Sequence, residues 1–257
     1  MKIASWNVNS LNVRLPQLQD WLRDFAPDVV GLQETKLEDH RFPDAALAEL
    51  GYRSVFHGQK TYNGVAILAR ERALDDVQVA IPGFDDVQAR AIAATVNDVR
   101  IVNLYVVNGQ DIGTEKYAYK LRWLDAVHGW LADELRKHPK LVVLGDFNIA
   151  PDDRDVHDPA TWNDDHILTS TAERAALKRL LDLGLHDGFR LHHDGAGIFS
   201  WWDYRQAAFR RNLGLRIDLT LVSDALKDDA VDAGIDRTPR TWERASDHAP
   251  AFVTLRG

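Results

Sequence analysis

Short apolar runs that close on a single polar side chain recur along this chain. Lys2 to Asn7 alternates and ends at Asn7. Asp28 to Gln33 runs apolar into Glu34. Leu141 to Gly145 (LVVLG) runs into Asp146 and Asn148. Runs of this length read as strands buried in a sheet. Tyr52–His57, Val65–Ala69, Ala91–Val96, Arg100–Val107, Ile217–Ser223 and Pro250–Leu255 have the same character. Elsewhere the period lengthens. Leu15, Leu18, Trp21, Leu22 and Phe25 recur at helical spacing, with Pro16 suited to a first turn. Tyr117 to His138 carries Leu121, Leu124, Leu131 and Leu135 on one face, and a further helix is expected near Thr171–Leu183. Several strands are separated by hairpin-length segments only. The expectation is an α/β fold with mixed sheets and outer helices, not a regular βαβ barrel. No Pro/Gly-rich linker or low-complexity stretch interrupts the chain, so one domain over residues 1–257 is expected.

The polar residues at the strand ends raise a question of chemistry. Alternation puts Asp146 and Asn148 on one side and Phe147 on the other. Taken alone this is equally a polar turn, since Asp and Asn commonly follow strands. The repetition weighs against turns. WNVN ends in Asn7 and Asn9, LQE in Glu34, and LYVVNG carries Tyr105 and Asn108. RIDLTLVS holds Asp218, and RASDHAP places Asp247 and His248 before the last strand. Sites in α/β sheets form outside strand ends. Glu34, Asp146 and Asp247 are hard oxygen donors suited to Mg2+ or Mn2+ rather than Zn2+. Asn7 and Asn148 can donate to an anion. His248, beside a carboxylate such as Asp218, would hold a proton near neutral pH. Metal, imidazolium and amide donors around an anion suggest phosphoryl transfer to water.

Composition narrows this further. With no cysteine, disulfides, thiolate metal sites and a Cys nucleophile are excluded. No apolar run approaches the ~20 residues needed to span a bilayer. The N-terminal MKIASWNVN reads as a strand, not a secretory signal. A cytoplasmic protein without a membrane partner is expected. The formal net charge of -8 argues against indiscriminate nucleic-acid binding. Yet SWWDYRQAAFRRNLGLR interleaves Trp201, Trp202, Tyr204 and Phe209 with Arg205, Arg210, Arg211 and Arg216. Such an arm can grip phosphates and stack on bases; the plainer alternative is a surface arm with a core tryptophan. Ser5 and Ser246 lack the setting of a hydrolase nucleophile. His192, His193 and the acidic run PDDRDVHD are expected in solvated loops.

WNVNS, LQETK, GDFNIAP, GLRIDL and SDHAP together resemble the endonuclease/exonuclease/phosphatase superfamily. HGQKTYNGVAIL, FSWWDYR and NLGLRID are similar to its bacterial exonuclease III branch of apurinic/apyrimidinic endonucleases, over essentially the whole chain. The resemblance implies a four-layer α/β sandwich, two packed mixed β-sheets flanked by helices. It implies Mg2+-dependent incision 5′ to abasic sites in double-stranded DNA, 3′→5′ exonuclease activity and removal of blocked 3′ ends; a monomer is expected. Glu34 then matches the metal ligand, with Asp247 and Asn9 near the metal and Asn7 supporting it. Asp146 matches the residue that activates water or protonates the leaving oxygen, and Asn148 the amide on the scissile phosphate. His248 with Asp218 matches the His–Asp pair, and Tyr105 the active-site tyrosine. Trp201, Leu215 and Ile217 fall at the pocket for a flipped-out sugar. Asn108 stands where some relatives carry glutamine, and Asn9 where some carry a metal-site aspartate. The loop after Pro151 is acidic where some are basic. Two rival readings stay open: a phosphatase for a small phosphorylated substrate, and a silent nucleic-acid-binding protein on the same fold.

Overall fold

The computed structural model describes residues 1–256. Two six-stranded sheets form its centre. The first contains β1 (Lys2–Asn7), β2 (Val29–Gln33), β3 (Tyr52–His57), β4 (Val65–Arg70), β13 (Ala230–Ile235) and β14 (Ala251–Leu255). The second contains β5 (Asp75–Val79), β6 (Ala91–Val96), β7 (Val99–Tyr105), β8 (Leu141–Asp146), β9 (Leu185–Asp187) and β12 (Asp218–Ser223). A short hairpin, β10 (Trp201–Trp202) with β11 (Gly214–Leu215), stands apart. Both sheets are mixed: β1 runs parallel to β2 and β7 parallel to β8, while the other pairs are antiparallel.

Alternation explains the layering. Along β8, Val142 and Leu144 join Ile3, Val29, Ile67 and Val253 in the core between the sheets. Leu141 and Val143 face the opposite way, packing with Trp123, Leu124, Leu131 and Leu180. Those residues come from α3 (Glu115–Lys137) and α4 (Thr171–Leu181), which cover the second sheet. On the first sheet, Ala4, Trp6, Val30 and Leu68 pack with Leu18, Trp21 and Leu22 of α1 (Leu11–Asp24) and Leu47 of the short α2 (Asp44–Ala48). The order is helix, sheet, sheet, helix: the expected four-layer sandwich. The two sheets approach closely at Gly31, where a Cβ would lie 2.1 Å from Leu144 Cδ1.

The apolar runs mark the central strands and edge strand β3 closely, with Tyr52–His57 and Ala91–Val96 bounded as expected. Edge strands β5, β9 and β13 escaped. β5 is largely exposed, and β13 carries small and polar residues. An edge strand buries little, so it carries little of the apolar signature. The acidic run after Pro151 is not wholly solvated: Asp155 is fully buried and bonded by Arg190 and Arg216. His192 and His193 lie in a loop as expected, His192 exposed and His193 half-buried, with Nε2 atoms 3.0 and 2.7 Å from the Ala230 and Ala233 carbonyl oxygens of β13.

Candidate active site

The inward faces of five strands change from apolar to polar toward one edge of the sandwich. The series are Ile3–Ser5–Asn7, Val29–Gly31–Gln33, Ile101–Asn103–Tyr105, Val142–Leu144–Asp146 and, read backwards along an antiparallel strand, Val222–Thr220–Asp218. Register sets Tyr105 beside Asp146 and Asp146 beside Asp218 across three adjacent strands. The chain just beyond the strands adds Glu34, Asn148, Asp247 and His248. Glu34 and Asn148 have φ of 52° and 49°. Left-handed backbone at non-glycine residues is costly and concentrates at functional sites. Asn148 therefore reaches the site through a turn and not through strand alternation; its N–H donates to Asp146 Oδ1 at 2.9 Å. The turn reading and the site reading describe the same residue.

One hydrogen-bond web joins these groups. Asn7 Nδ2 donates to Glu34 Oε1 at 3.0 Å and to Asp146 Oδ2 at 2.9 Å. Tyr105 Oη donates to Glu34 Oε1 at 2.9 Å. Asn148 Nδ2 donates to the Val106 carbonyl at 3.0 Å, and Asn108 Nδ2 to Asn148 Oδ1 at 3.1 Å. His248 Nδ1 lies 2.9 Å from Asp218 Oδ2, and its Nε2 faces Asp146 Oδ2 at 3.8 Å. Asn9 and Trp201 donate to the two oxygens of Asp247 at 2.9 and 3.0 Å. The web opens into a cleft of about 300 Å³ whose apolar wall is Leu168, Trp201 and Ile217. A wider groove of about 660 Å³ adjoins it through Asn108 and is lined by Tyr62, Arg90 and Lys116 among others.

Burial and mutual charge tune the acids and the base. Burial pushes the Asp146 carboxyl up to about 7; His248 and Asn7 pull it down, while Asp218 and Glu34 add to the rise. Burial alone would lower His248, but the Asp218 and Asp146 carboxylates overcome it and hold the imidazole up at about 10. At neutral pH His248 is thus an imidazolium beside a carboxyl poised to exchange a proton, the arrangement general acid–base chemistry needs. Burial also raises Glu34, yet Lys36 and Asn7 bring it below the ordinary range. Burial and the Glu34 and Asp146 charges lift Tyr105 well above 10, so its phenol stays a neutral donor.

A model of the Endonuclease/Exonuclease/phosphatase family matches residues 4–248. The chain belongs to that family. It is a phosphodiester hydrolase. Exodeoxyribonuclease III of Haemophilus influenzae is 35% identical over 271 residues, covering 100% of both chains. The 3′ phosphatase NExo from Neisseria, solved bound to a product DNA hairpin, superposes with a TM-score of 0.98 at 48% identity over 100% of both chains. An AP endonuclease from Archaeoglobus fulgidus superposes with a TM-score of 0.95 at 36% identity over 99% of both.

Family members depend on a divalent metal, and the donors here fit one. Glu34 Oε1 and Asp146 Oδ2 converge on a single amide nitrogen. The Lys36 ammonium lies 2.8 Å from Glu34 Oε2 and 2.6 Å from Asn9 Oδ1, so the chain itself draws a positive charge between these residues. Asp146, Asp218 and His248 also bring three ligand atoms within 4.8 Å of one another. A protonated imidazole has no lone pair for a metal, so that trio is better suited to moving protons.

Three residues expected at the substrate are buried and do not line the cleft. Arg216 is fully buried, bonded to Asp155 and, through its two Nη atoms, to Asp187 at 3.1 and 2.7 Å. Trp202 is also fully buried, edge-on to Phe209, with Nε1 on Asn212 Oδ1 at 3.2 Å. Leu215 lies behind the wall with Ala150 and Val156. Arg205, Arg210 and Arg211 are exposed on the arm, outside the lining of the cleft. Tyr204 brings that arm to the site rim: its hydroxyl is 3.4 Å from Asn9 Nδ2 and 3.2 Å from Arg14 Nη2. Reasoning from sequence missed Lys36, Leu168 and Ser200, whose Oγ accepts from the Ile217 and Asp218 N–H groups at 3.0 Å each. Lys36 was available in the LQETK motif; Leu168 and Ser200 carry no signal beyond their neighbours.

Proposed function

We propose that the chain is a Mg2+-dependent DNA-repair nuclease built as one domain. It cuts duplex DNA 5′ to abasic sites, degrades strands 3′→5′ and removes 3′-terminal phosphates and related blocks. One observation carries the reading: the apolar wall of Leu168, Trp201 and Ile217 stands in the same cleft as Asp146, Asn148 and His248. An apolar wall against a phosphate-handling site suits a base-less sugar turned out of the helix. The adjoining groove with Arg90 and Lys116 favours a polymer over a small phosphorylated substrate. The activities of the similar proteins, an exodeoxyribonuclease, a 3′ phosphatase and an AP endonuclease, support it. We place the enzyme in the cytoplasm as a monomer; among the described residues no helix is long and apolar enough to cross a membrane.

In this mechanism Glu34 would hold the metal, with Asp247 and Asn9 beside it and Asn7 bracing Glu34 against Asp146. A bound Mg2+ or Mn2+ would supply positive charge to offset the negative charge of the substrate phosphate. Asn148 and His248 donate to the phosphate, Tyr105 keeps Glu34 in place, and Asp146 handles the proton of the attacking water or of the leaving oxygen. The exposed Arg205, Arg210 and Arg211 grip the backbone, so binding weakens steeply with salt.

The test is end-labelled duplexes with an abasic site, with a 3′-phosphate or intact, each incubated with Mg2+ or chelator. Metal-dependent incision at the abasic site is expected; a protein that cuts none of them would sink the proposal. Glu34→Ala should lose most of its incision at limiting Mg2+ and regain part of it as Mg2+ is raised, since it removes a charged oxygen ligand. A Mg2+ titration of the single-turnover rate checks this, and unchanged cutting at limiting metal would remove Glu34 from the metal site. Trp201→Ala should reduce abasic-site incision about tenfold more than 3′-phosphate release, because the lost apolar contact serves the sugar. Trp201→Phe keeps a ring but not the N–H on Asp247, so it should restore that preference. Equal losses on both substrates would count against a sugar pocket.

A further inference from the structure

We propose that Lys120 is a positioning residue that sets the phosphate-facing amides from beneath the cleft. The proposal rests on the nuclease reading above. Lys120 is fully buried on α3 and does not itself line the cleft. Its ammonium has three N–H groups and three acceptors. These are the Asn148 carbonyl at 2.7 Å, the Asn108 carbonyl at 3.1 Å and the fully buried Glu173 carboxylate. Among the described residues no other donor reaches either carbonyl. The two amides so anchored are the pair joined side by side by the Asn108–Asn148 hydrogen bond.

The backbone at this place needs such an anchor. Asn148 is left-handed at φ 49°, and Gly109 follows Asn108 at φ 93°. A Cβ on Gly109 would lie 3.1 Å from Lys120 Cδ, so the turn is seated on the lysine stem. On the other side, Glu173 closes the capping box of α4 with Ser170. The same carboxylate accepts the Leu168 N–H at 3.1 Å. Leu168 stands at φ 73° in the apolar wall. One buried ion pair thus ties the phosphate side of the cleft to the sugar side. A well-packed apolar pair commonly serves as well as a buried ion pair for stability alone. Here the ammonium also supplies the two carbonyl hydrogen bonds that an apolar pair would lack.

Lys120→Met alone strands the Glu173 charge and is expected to fold poorly. Lys120→Met/Glu173→Gln removes both charges and keeps a residue able to close the capping box. This double variant should melt within a few degrees of the parent and bind abasic duplex in chelator as the parent does. Its single-turnover rate should fall about ten- to a hundredfold, as small misplacements of reacting groups do. The side-chain NH2 resonances of Asn108 and Asn148 should shift in its NMR spectrum. A folded double variant with parental rate and unmoved amide resonances would overturn the proposal. A parent protein that cleaves neither the abasic nor the 3′-phosphate duplex would instead overturn the nuclease reading, and the amide resonances would still decide whether Lys120 sets the two asparagines.

Discussion

Asp146→Asn is expected to stay folded, to bind abasic duplex within about tenfold of the parent, and to cut it at least ~10²-fold more slowly in single turnover. The substitution keeps the shape of the side chain and an oxygen for the Asn148 N–H. It removes the group that burial holds near neutrality and that faces the His248 imidazolium. An amide has no basicity to handle a proton, while a carboxyl near 7 does. Binding should be kept or tightened, because one negative charge facing the phosphate is gone. Asn148→Ala should lose a comparable ~10²–10³ in rate through a missing donor to the transition state. Asn148→Gly, at ease with φ 49°, controls for the backbone cost of alanine there. If both residues only closed a turn, each change would cost about 1 kcal/mol of stability and little rate. Single-turnover cleavage, a gel shift in chelator and a thermal melt separate the cases. Near-normal cleavage by either folded variant would restore the plain turn.

Legibility followed burial. The central strands are covered on both faces, so Leu141 to Leu144 and Val65 to Ala69 had to be continuously apolar, and their ends stood out as the first polar positions. That contrast made Asn7, Glu34, Tyr105, Asp146 and Asp218 readable. Asp247 and His248 were readable for the same reason ahead of the last strand. Edge strand β5 had no such contrast. Within the arginine–aromatic arm, composition could not separate Trp202 and Arg216, which are buried, from their exposed neighbours, because it does not say which way a side chain points. Alternation could have said more: Trp201 and Trp202 are neighbours on one strand and must face opposite ways. Only Trp201 lines the cleft, and Trp202 is buried against Phe209. Arg216 stands between Leu215 and Ile217, both turned to one apolar cluster, and so points away from them, into Asp155 and Asp187. Lys120 was hidden for a different reason. A lysine amid a helix full of charged residues looks solvated until the fold brings Glu173 and two carbonyls to it.

Asp218→Asn should be the most pH-sensitive change in the site. Asp218 is fully enclosed, with Oδ2 on His248 Nδ1 and Oδ1 without a hydrogen-bond partner among the described residues. Its charge therefore acts chiefly on the imidazole, and it is the largest of the influences that raise His248 to about 10 against the lowering effect of burial. With that charge removed, the imidazole moves toward its ordinary ~6.5. At pH 6 it would still be largely protonated, and the rate should fall only modestly. At pH 9 the protonated fraction would drop by more than ~10², and the rate with it. Stability runs the other way with pH. A base whose folded value is raised stabilises the fold fully below about 6.5, and that contribution is lost as pH rises through about 10. In the variant the folded and unfolded values nearly coincide, so His248 contributes little at any pH, and the gap in melting temperature between parent and variant should be widest at about pH 6 and narrow toward about pH 8 and above. A pH–rate profile with an NMR titration of His248 measures both. A loss of equal size at every pH, with His248 titrating as in the parent, would leave Asp218 the task of orienting the ring and would deny it the task of charging it.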